Sequence, residues 1–533
     1  MEIASIPFKK TGYFSSLICD YLDEKPSLQG FYNSFPSIDG FKLQLQKKEK
    51  SFTKEKRQVL VKALNSQYAE LLVSEDTEKN ITLLGDNKTF TIVTGHQLNI
   101  FTGPLYFLYK IVSTINLSRD LKKAYPSYNF VPIYWMATED HDFEEINYFN
   151  LHGKKFQWNI KASGAVGRLS TNGLNEVYEA LVQELGTSLN ALELTELFKK
   201  SYLEHETLAE ATRYLANALF GNEGLVVVDG DSSELKREFI PFVKEELLNN
   251  ISQNKVQQTI EELENLSSDY TIQVNPRPIN YFYLLDGLRE RILEKEGRFY
   301  INNTKLEYSK EEFLGILEKY PERFSPNVVK RPLYQEVILP NLCYIGGGGE
   351  LAYWLELKSL FDSFKVPFPS LLLRNSVLLV SEKQAKKLDK LGIKIEDLFL
   401  KQSSFINKRI REISNIEIDL SEQKLFLKDH FEVMYKLAEQ TDKSFYGAVK
   451  AQEVKQLKGI DKLEKRLLKA QKRKLKDEVI RISELQDQLF PGRSLQERTM
   501  NFSEFYMEKG KDLIPFLLKE LKPLDMSFSV LRF

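Results

Sequence analysis

Two stretches of this chain are built alike, and together they restrict its fold more than any other feature. Phe90 to Val93 and Val131 to Met136 are short apolar runs rich in β-branched and aromatic residues, and each ends in a polar loop. The first loop reads Thr94-Gly-His-Gln-Leu-Asn-Ile-Phe-Thr-Gly-Pro104, the second Thr138-Glu-Asp-His-Asp-Phe143. Between them Leu105, Leu108, Ile111, Val112, Ile115 and Leu117 recur at the spacing of one helical face. The order strand, loop, helix, strand, loop predicts parallel strands joined by a crossover helix, with both loops at the carboxyl edge of the sheet. In open α/β sheets that edge is where ligands bind. The expected protein is an α/β enzyme of Rossmann type whose site is lined with His, Asp, Glu and Gln.

Composition narrows the function. A net charge of −1 gives no global field to draw in nucleic acid or an anionic membrane, so neither is expected as a partner. Two cysteines, Cys19 and Cys343, build no disulfide framework, and without a CxxC pair they suggest no structural zinc. Low cysteine use fits a reducing cytoplasm. The start, Met1-Glu-Ile-Ala-Ser-Ile-Pro-Phe8, lacks a basic-then-apolar leader pattern, and no run approaches the ~18 apolar residues of a membrane span.

With 533 residues, 35 Phe and 25 Tyr, the chain has material for several units. Residues 1–75 read as a helical segment packing on the core, with Phe14, Leu17, Ile18, Tyr21 and Leu22 as one stripe. The Rossmann-like core is expected over 76–381, with insertions at about 160–220 and 235–330. Gly224-Leu-Val-Val-Val-Asp-Gly-Asp231 reads as a third strand ending in carboxylates, and Ala180 to Leu219 as mostly helix. Ile272 to Leu284 reads as two strands broken by prolines, and Phe368 to Leu373 and Val377 to Val380 close the core.

A helical coiled-coil domain is expected over 382–490, followed by a tail, 491–533, that returns to the core. Ile460, Leu463, Leu467 and Ala470, then Leu475, Val479, Ile482 and Leu489, keep 3/4 spacing with one phase slip after Ala470. Ile395 to Ile413 is the expected antiparallel partner. Lys455 to Lys476 carries ten Lys or Arg against only Asp461 and Glu464, a solvated face or an anion-binding surface.

Three loops carry the candidate chemistry. In the first, Gly95 permits a tight turn, and Thr102-Gly103 stands where a helix is expected to start with Pro104 in its first turn. Free amides there, with His96 and Gln97, suit a phosphate or carboxylate. In the second, Asp140, His141 and Asp142 could bind a substrate ammonium, coordinate Mg²⁺ or orient a general base, and Glu144 and Glu145 follow. No HExxH-like pair supports a transition metal. In the third, Gly346, Gly347, Gly348 and Gly349 precede Glu350, Tyr353 and Trp354, so backbone amides can approach a ligand closely. Arg374 and Asn375 lie between two apolar strands, where a buried arginine needs an anion, and Arg331 and Gln335 are weaker candidates. Cys343 reads as core.

These segments resemble the cysteine ligase family of bacillithiol biosynthesis, BshC, nearly end to end. The resemblance rests on Ser5-Ile-Pro-Phe with Asp20-Tyr-Leu, Thr94-Gly-His-Gln with Thr102-Gly-Pro-Leu-Tyr, and Trp135-Met-Ala-Thr-Glu-Asp-His-Asp-Phe-Glu-Glu. It continues through Val274-Asn-Pro-Arg-Pro-Ile-Asn, Gly346 to Trp354, Pro369 to Ser376 and Phe490-Pro-Gly-Arg-Ser-Leu-Gln-Glu-Arg. Many members carry Gly-Gln-Gln where this chain has Gly95-His96-Gln97, so Gln97 matches and His96 departs.

The resemblance implies a Rossmann-like core related to class I aminoacyl-tRNA synthetases, with inserted connecting segments and a long coiled coil through which members dimerise. It implies a ligase joining the carboxyl of L-cysteine to the amine of glucosaminyl malate. By analogy with those synthetases, ATP, with Mg²⁺ as its companion ion, would form a cysteinyl adenylate. On that analogy His96, Gln97 and the Thr102-Gly103 helix start stabilise the phosphate, and Asp140 or Asp142 holds the cysteine ammonium. His141 accepts a proton from the sugar amine, the glycine run with Glu350 and Trp354 frames the second substrate or the adenine, and Arg374 meets the malate. A nucleotidyl transferase on the same fold and a non-catalytic coiled-coil scaffold are the competing readings.

Overall fold

The computed structural model describes residues 2–533. Five short strands, almost wholly buried, make the central sheet: β1 (Thr89–His96), β2 (Asn129–Met136), β3 (Val226–Asp229), β4 (Asn341–Gly346) and β5 (Ser370–Leu373). Every neighbouring pair is parallel, and the spatial order is β5-β4-β1-β2-β3. Near-continuous apolar runs are what a parallel sheet covered on both faces requires. The strand order reverses between β1 and β4, so the gap beyond their carboxyl ends is a topological switch point. Helix α1 (Tyr106–Ala124) makes the crossover from β1 to β2 and buries Leu108, Ile111, Val112, Ile115 and Leu117, the stripe read from the sequence.

Between β3 and β4 the chain builds an antiparallel sheet in the order Glu307–Ser309, Arg298–Ile301, Leu288–Lys295, Tyr281–Leu285, Phe324–Pro326. Of the two strands expected over 272–284, only Tyr281–Leu285 forms. Pro276 and Pro278 lack the donors a ladder needs, and the segment around them is irregular. The helical expectation for 1–75 fails at its start. Glu2–Pro7 is a strand paired antiparallel with Ser527–Arg532, a partner no local window can reveal. Helices follow at Ser16–Leu22, Ile38–Lys48, Lys54–Gln67 and Glu75–Leu83.

The contacts define two compact units. One comprises the segments up to Lys9, Tyr13–Leu378 and Gln496–Leu531; the other comprises Lys10–Gly12, Leu379–Leu495 and Arg532–Phe533. In the second unit Ser421–Ala438 and Lys443–Lys474 form a helical hairpin around Phe431, Ala438 and Val449. The long helix pairs most extensively with Ser421–Ala438, and Gln402–Ile413, within the expected partner Ile395 to Ile413, lies antiparallel to the predicted stretch, with Arg411 on Glu464 and Gln402 on Asp487. The phase slip read after Ala470 appears as a helix break at Leu475 (φ −100°, ψ 33°). Within the basic stretch the two acids are both paired: Lys424 meets Asp461 at 2.8 Å and Glu464 at 2.9 Å, and Arg411 meets Glu464 at 2.8 Å.

Candidate active site

The carboxyl ends of β1, β2 and β4 open on a cleft of about 700 Å³. Gly95, His96 and Gln97 enter it from the first loop, Glu139, Asp140 and His141 from the second, Tyr344 from β4 itself, and Glu350 and Tyr353 from just beyond β4. Arg277, Arg289, Arg291 and Arg331 complete its wall. A second hollow, beside Lys54–Gln67, draws no residue from this sheet edge.

A buried lysine organises the switch point. Lys110, on α1, donates to the Gly95 carbonyl at 2.6 Å and pairs with Glu350 Oε2 at 2.6 Å. Glu350 also accepts from Tyr344 Oη at 2.7 Å and from the Gly347 amide at 2.8 Å. Burial opposes its charge, yet Lys110 and these donors hold its carboxyl below the usual range. A Cβ at Gly95 would lie 3.0 Å from Tyr344 Oη and press on the bond Tyr344 makes to Glu350. Arg331 donates to Tyr353 Oη at 3.0 Å and Gln335 Oε1 at 3.1 Å.

His96 is enclosed, its ring 5.4 Å from Tyr106 and 5.1 Å from Phe107. Burial, with Lys110 beside it, drives its pKa down to about 3. The ring bonds the Thr102 backbone, and Nε2 is buried without a partner. An imidazole this hard to protonate brings no positive charge to a phosphate. Gln97 is better placed: its Nε2 donates to Asp140 Oδ2 at 3.0 Å and Glu145 Oε2 at 2.7 Å, stitching the two loops together.

In the second loop both Asp140 oxygens are occupied, Oδ2 by Gln97 and Oδ1 by the His141 amide at 2.7 Å. Burial works against ionisation, but hydrogen bonds from His141 and Gln97 hold this carboxyl well below the usual range. Arg289, whose guanidinium lies 4.0 Å from the Phe282 ring centroid, reaches His141 Nδ1 at 2.6 Å. Arginine only donates, so in this contact Nδ1 is the acceptor and the ring N–H is on Nε2. Glu139 pairs with Lys236, which also donates to the Phe324 carbonyl at 2.9 Å. Behind them Thr138 donates to Asp229.

Several expected residues stand apart from the cleft lining. The short turn Ile100–Thr102 ends at Gly103, and α1 begins only at Tyr106. The Leu105 amide is taken by the Met500 carbonyl at 2.7 Å, and Asn501 Nδ2 donates to the Phe101 and Gly103 carbonyls at 2.7 and 2.6 Å. Protein groups thus fill the place the Thr102-Gly103 helix start was expected to offer an anion. None of Gly346, Gly347, Gly348 and Gly349 lines the cleft: Gly346 lies against Leu351, Gly348 against Phe14 and Ile18, the Gly347 amide donates to Glu350, and Gly349 is exposed. Trp354 is core, stacked 4.6 Å from Tyr344. Arg374 is spent on Glu497 at 2.8 Å, and Asn375 on Ser113 and the Lys522 carbonyl. Asp142 is exposed and makes no cap bond to Phe143–Ile146. Cys343 lies in β4 and is buried, which pushes its thiol pKa well up.

Sequence reasoning missed Lys110, Tyr344 and the arginines of the inserted sheet. Lys110 had a signal, a lone charge in the apolar stripe Leu108 to Val112 that could be buried only against an anion. Arg289 and Arg291 had none.

Residues 1–375 match the family model described as "Bacillithiol biosynthesis BshC, N-terminal Rossmann-like domain", and residues 377–533 match "Bacillithiol biosynthesis BshC, C-terminal coiled-coil domain". The chain belongs to the BshC family. Relatives named "Putative cysteine ligase BshC" from Flavobacterium johnsoniae and Christiangramia forsetii are each 58% identical to it, covering 100% of this chain and 100% and 99% of their own. One of the same name from Cytophaga hutchinsonii is 36% identical over 99% of this chain and 98% of its own. A solved structure titled as a putative arginyl tRNA synthetase from Campylobacter jejuni covers 84% of this chain and 98% of its own at 12% identity; its TM-score of 0.22 is too low to inform fold or function.

This BshC-family chain has no helix long and apolar enough to cross a membrane among the described residues. Nor do three or more of its described His, Cys, Asp or Glu side chains converge to hold a metal ion. Of the second-loop acids, Asp140 and Glu145 accept from Gln97, and Glu139 pairs through one oxygen with Lys236.

Proposed function

We propose that this protein is an ATP-dependent, amide-forming ligase of the cytoplasm that joins the carboxyl of L-cysteine to the amine of glucosaminyl malate. The observation that carries the reading is the concentration of Arg277, Arg289, Arg291 and Arg331 around one switch-point cleft that also holds Glu139 and Asp140. The cations suit a polyphosphate and a dicarboxylate, and ionised Asp140 suits an ammonium. A carboxylate is a poor acyl donor, so the amide requires prior activation, here as a cysteinyl adenylate with release of pyrophosphate. In this reading Gln97 and the arginine wall stabilise charge on the phosphate undergoing substitution. Asp140 holds the cysteine ammonium. Arg331, with Tyr353, takes the malate role expected of Arg374.

A homodimer belongs to the same proposal. On Ser421–Ala438, Phe426, Val433 and Leu437 are 72%, 66% and 57% exposed at seven- and four-residue spacing, with His430 between them. That is the seam of a coiled coil, and a second copy of the chain is the occupant whose spacing matches it.

The test is to incubate the purified protein with cysteine, glucosaminyl malate and ATP and follow products by mass spectrometry. The amide together with AMP is the expected result. The amide with ADP would replace the adenylate by an acyl phosphate. Nucleotide transfer without amide would favour a nucleotidyl transferase, and no product from a folded protein would favour a scaffold.

A further inference from the structure

We infer that Glu139 is the general base of the amide-forming step, taking the proton that the attacking amine gives up. The inference rests on the ligase reading above and deepens it. It arises by comparing what each second-loop group already holds. Asp140 has a hydrogen bond on each oxygen, at 3.0 and 2.7 Å. His141 has its acceptor nitrogen filled by Arg289 at 2.6 Å, so the ring presents an N–H, a donor, to any ligand. Asp142 is exposed and is not part of the cleft lining.

Glu139 differs from all three. It lines the cleft, and Lys236 engages only its Oε1. Among the described residues nothing hydrogen-bonds Oε2, and that oxygen is not sealed in the protein. Lys236 is itself fixed by the Phe324 carbonyl at 2.9 Å, so the carboxylate is held in one orientation. The charged and titratable groups facing Glu139 are Lys236, Asp231, Arg289, Arg168 and Tyr334. Burial raises its pKa above the usual carboxylate range, against the pull of Lys236, whereas that of Asp140 is lowered. A base works best when its pKa approaches the working pH, and of the two carboxylates only Glu139 moves that way.

The step balances as follows. The amine nitrogen forms the C–N bond to the cysteinyl carbonyl carbon while the C–O bond to the adenylate phosphate breaks. AMP leaves with that electron pair, and the amine proton passes to Glu139 and then to solvent.

The test separates the two half-reactions, using cysteine-dependent exchange of pyrophosphate into ATP for the first and amide formation for the second, each across pH. Glu139→Gln is expected to lower amide formation roughly 10²- to 10⁴-fold, with little change in KM for the amine, and to remove the acid limb of its pH profile. Exchange is expected to fall far less. Glu139→Asp, which keeps the charge opposite Lys236, is expected to recover part of the rate with the acid limb present. It carries the test should the Gln variant melt below the assay temperature. A folded Glu139→Gln protein that forms amide within threefold of wild type overturns the inference alone, as does loss of the acid limb in His141→Asn with its retention in Glu139→Gln. A wild-type protein with neither exchange nor amide formation overturns the ligase reading and this inference with it.

Discussion

Glu356 has a buried side chain that accepts the Gln273 and Val274 amides at 2.8 and 3.0 Å, just ahead of the cleft residues Asn275 and Arg277. Burial outweighs those bonds and pushes its pKa up to about 7. A carboxyl raised above its unfolded value contributes stability that is fully present below about pH 4.3 and is lost as pH rises through about 7. Unfolding free energy is expected to fall across that window by up to roughly 1.4 kcal/mol per pH unit from this group. Glu356→Gln should flatten the slope in urea melts between pH 5 and 7; an unchanged slope would remove Glu356 as its source. Two arginines separate stability from binding in the same way. Arg374→Met leaves Glu497 charged and unpaired in the interior and is expected to cost about 3–5 kcal/mol in denaturant melts. Arg331→Met is expected to raise KM for glucosaminyl malate by roughly ten- to a hundredfold, the worth of a charge-assisted hydrogen bond, with a near-normal melting temperature. The need of Arg374 for an anion was legible in its apolar surroundings. Which anion was not, because Glu497 stands 123 residues further on.

At the scale of elements, what obeyed a short period could be read. β1, β2 and α1 appeared where continuous apolar runs and helical spacing put them, and the break at Leu475 follows the phase slip seen in the sequence. What depended on distant partners could not. The first loop looked like an open helix start because Met500 and Asn501, which fill it, lie some four hundred residues away. Asn501→Ala leaves two buried carbonyls without their donor and is expected to cost about 1–3 kcal/mol. Hydrogen exchange around 99–106 should rise with it, and unchanged protection there would mean that the loop holds itself.

The whole molecule joins a Rossmann-like unit to a helical one, and the sequence showed both through the change of character after about Glu382. The dimer proposal belongs to this scale. Phe426→Lys with Val433→Lys is expected to lower the mass in light scattering from twice to once the 62.0 kDa of the chain. A wild-type protein already at 62.0 kDa would exclude the seam as a contact between copies.

The pairing of Glu2–Pro7 with Ser527–Arg532 also sets a timetable. Ser5 and Ser527, joined by a hydroxyl hydrogen bond of 2.6 Å, are 522 residues apart. At roughly 5–20 residues per second of synthesis, the first strand waits about half a minute or more for its mate. During that wait Arg374 has no Glu497, and the loop after β1 has no Asn501. A chain cut short within the helical unit therefore lacks Glu497, Asn501 and the Ser527–Arg532 strand, and its core stays unfinished. Synthesis brings Ser527–Arg532 to Glu2–Pro7 only after the whole helical unit has been made.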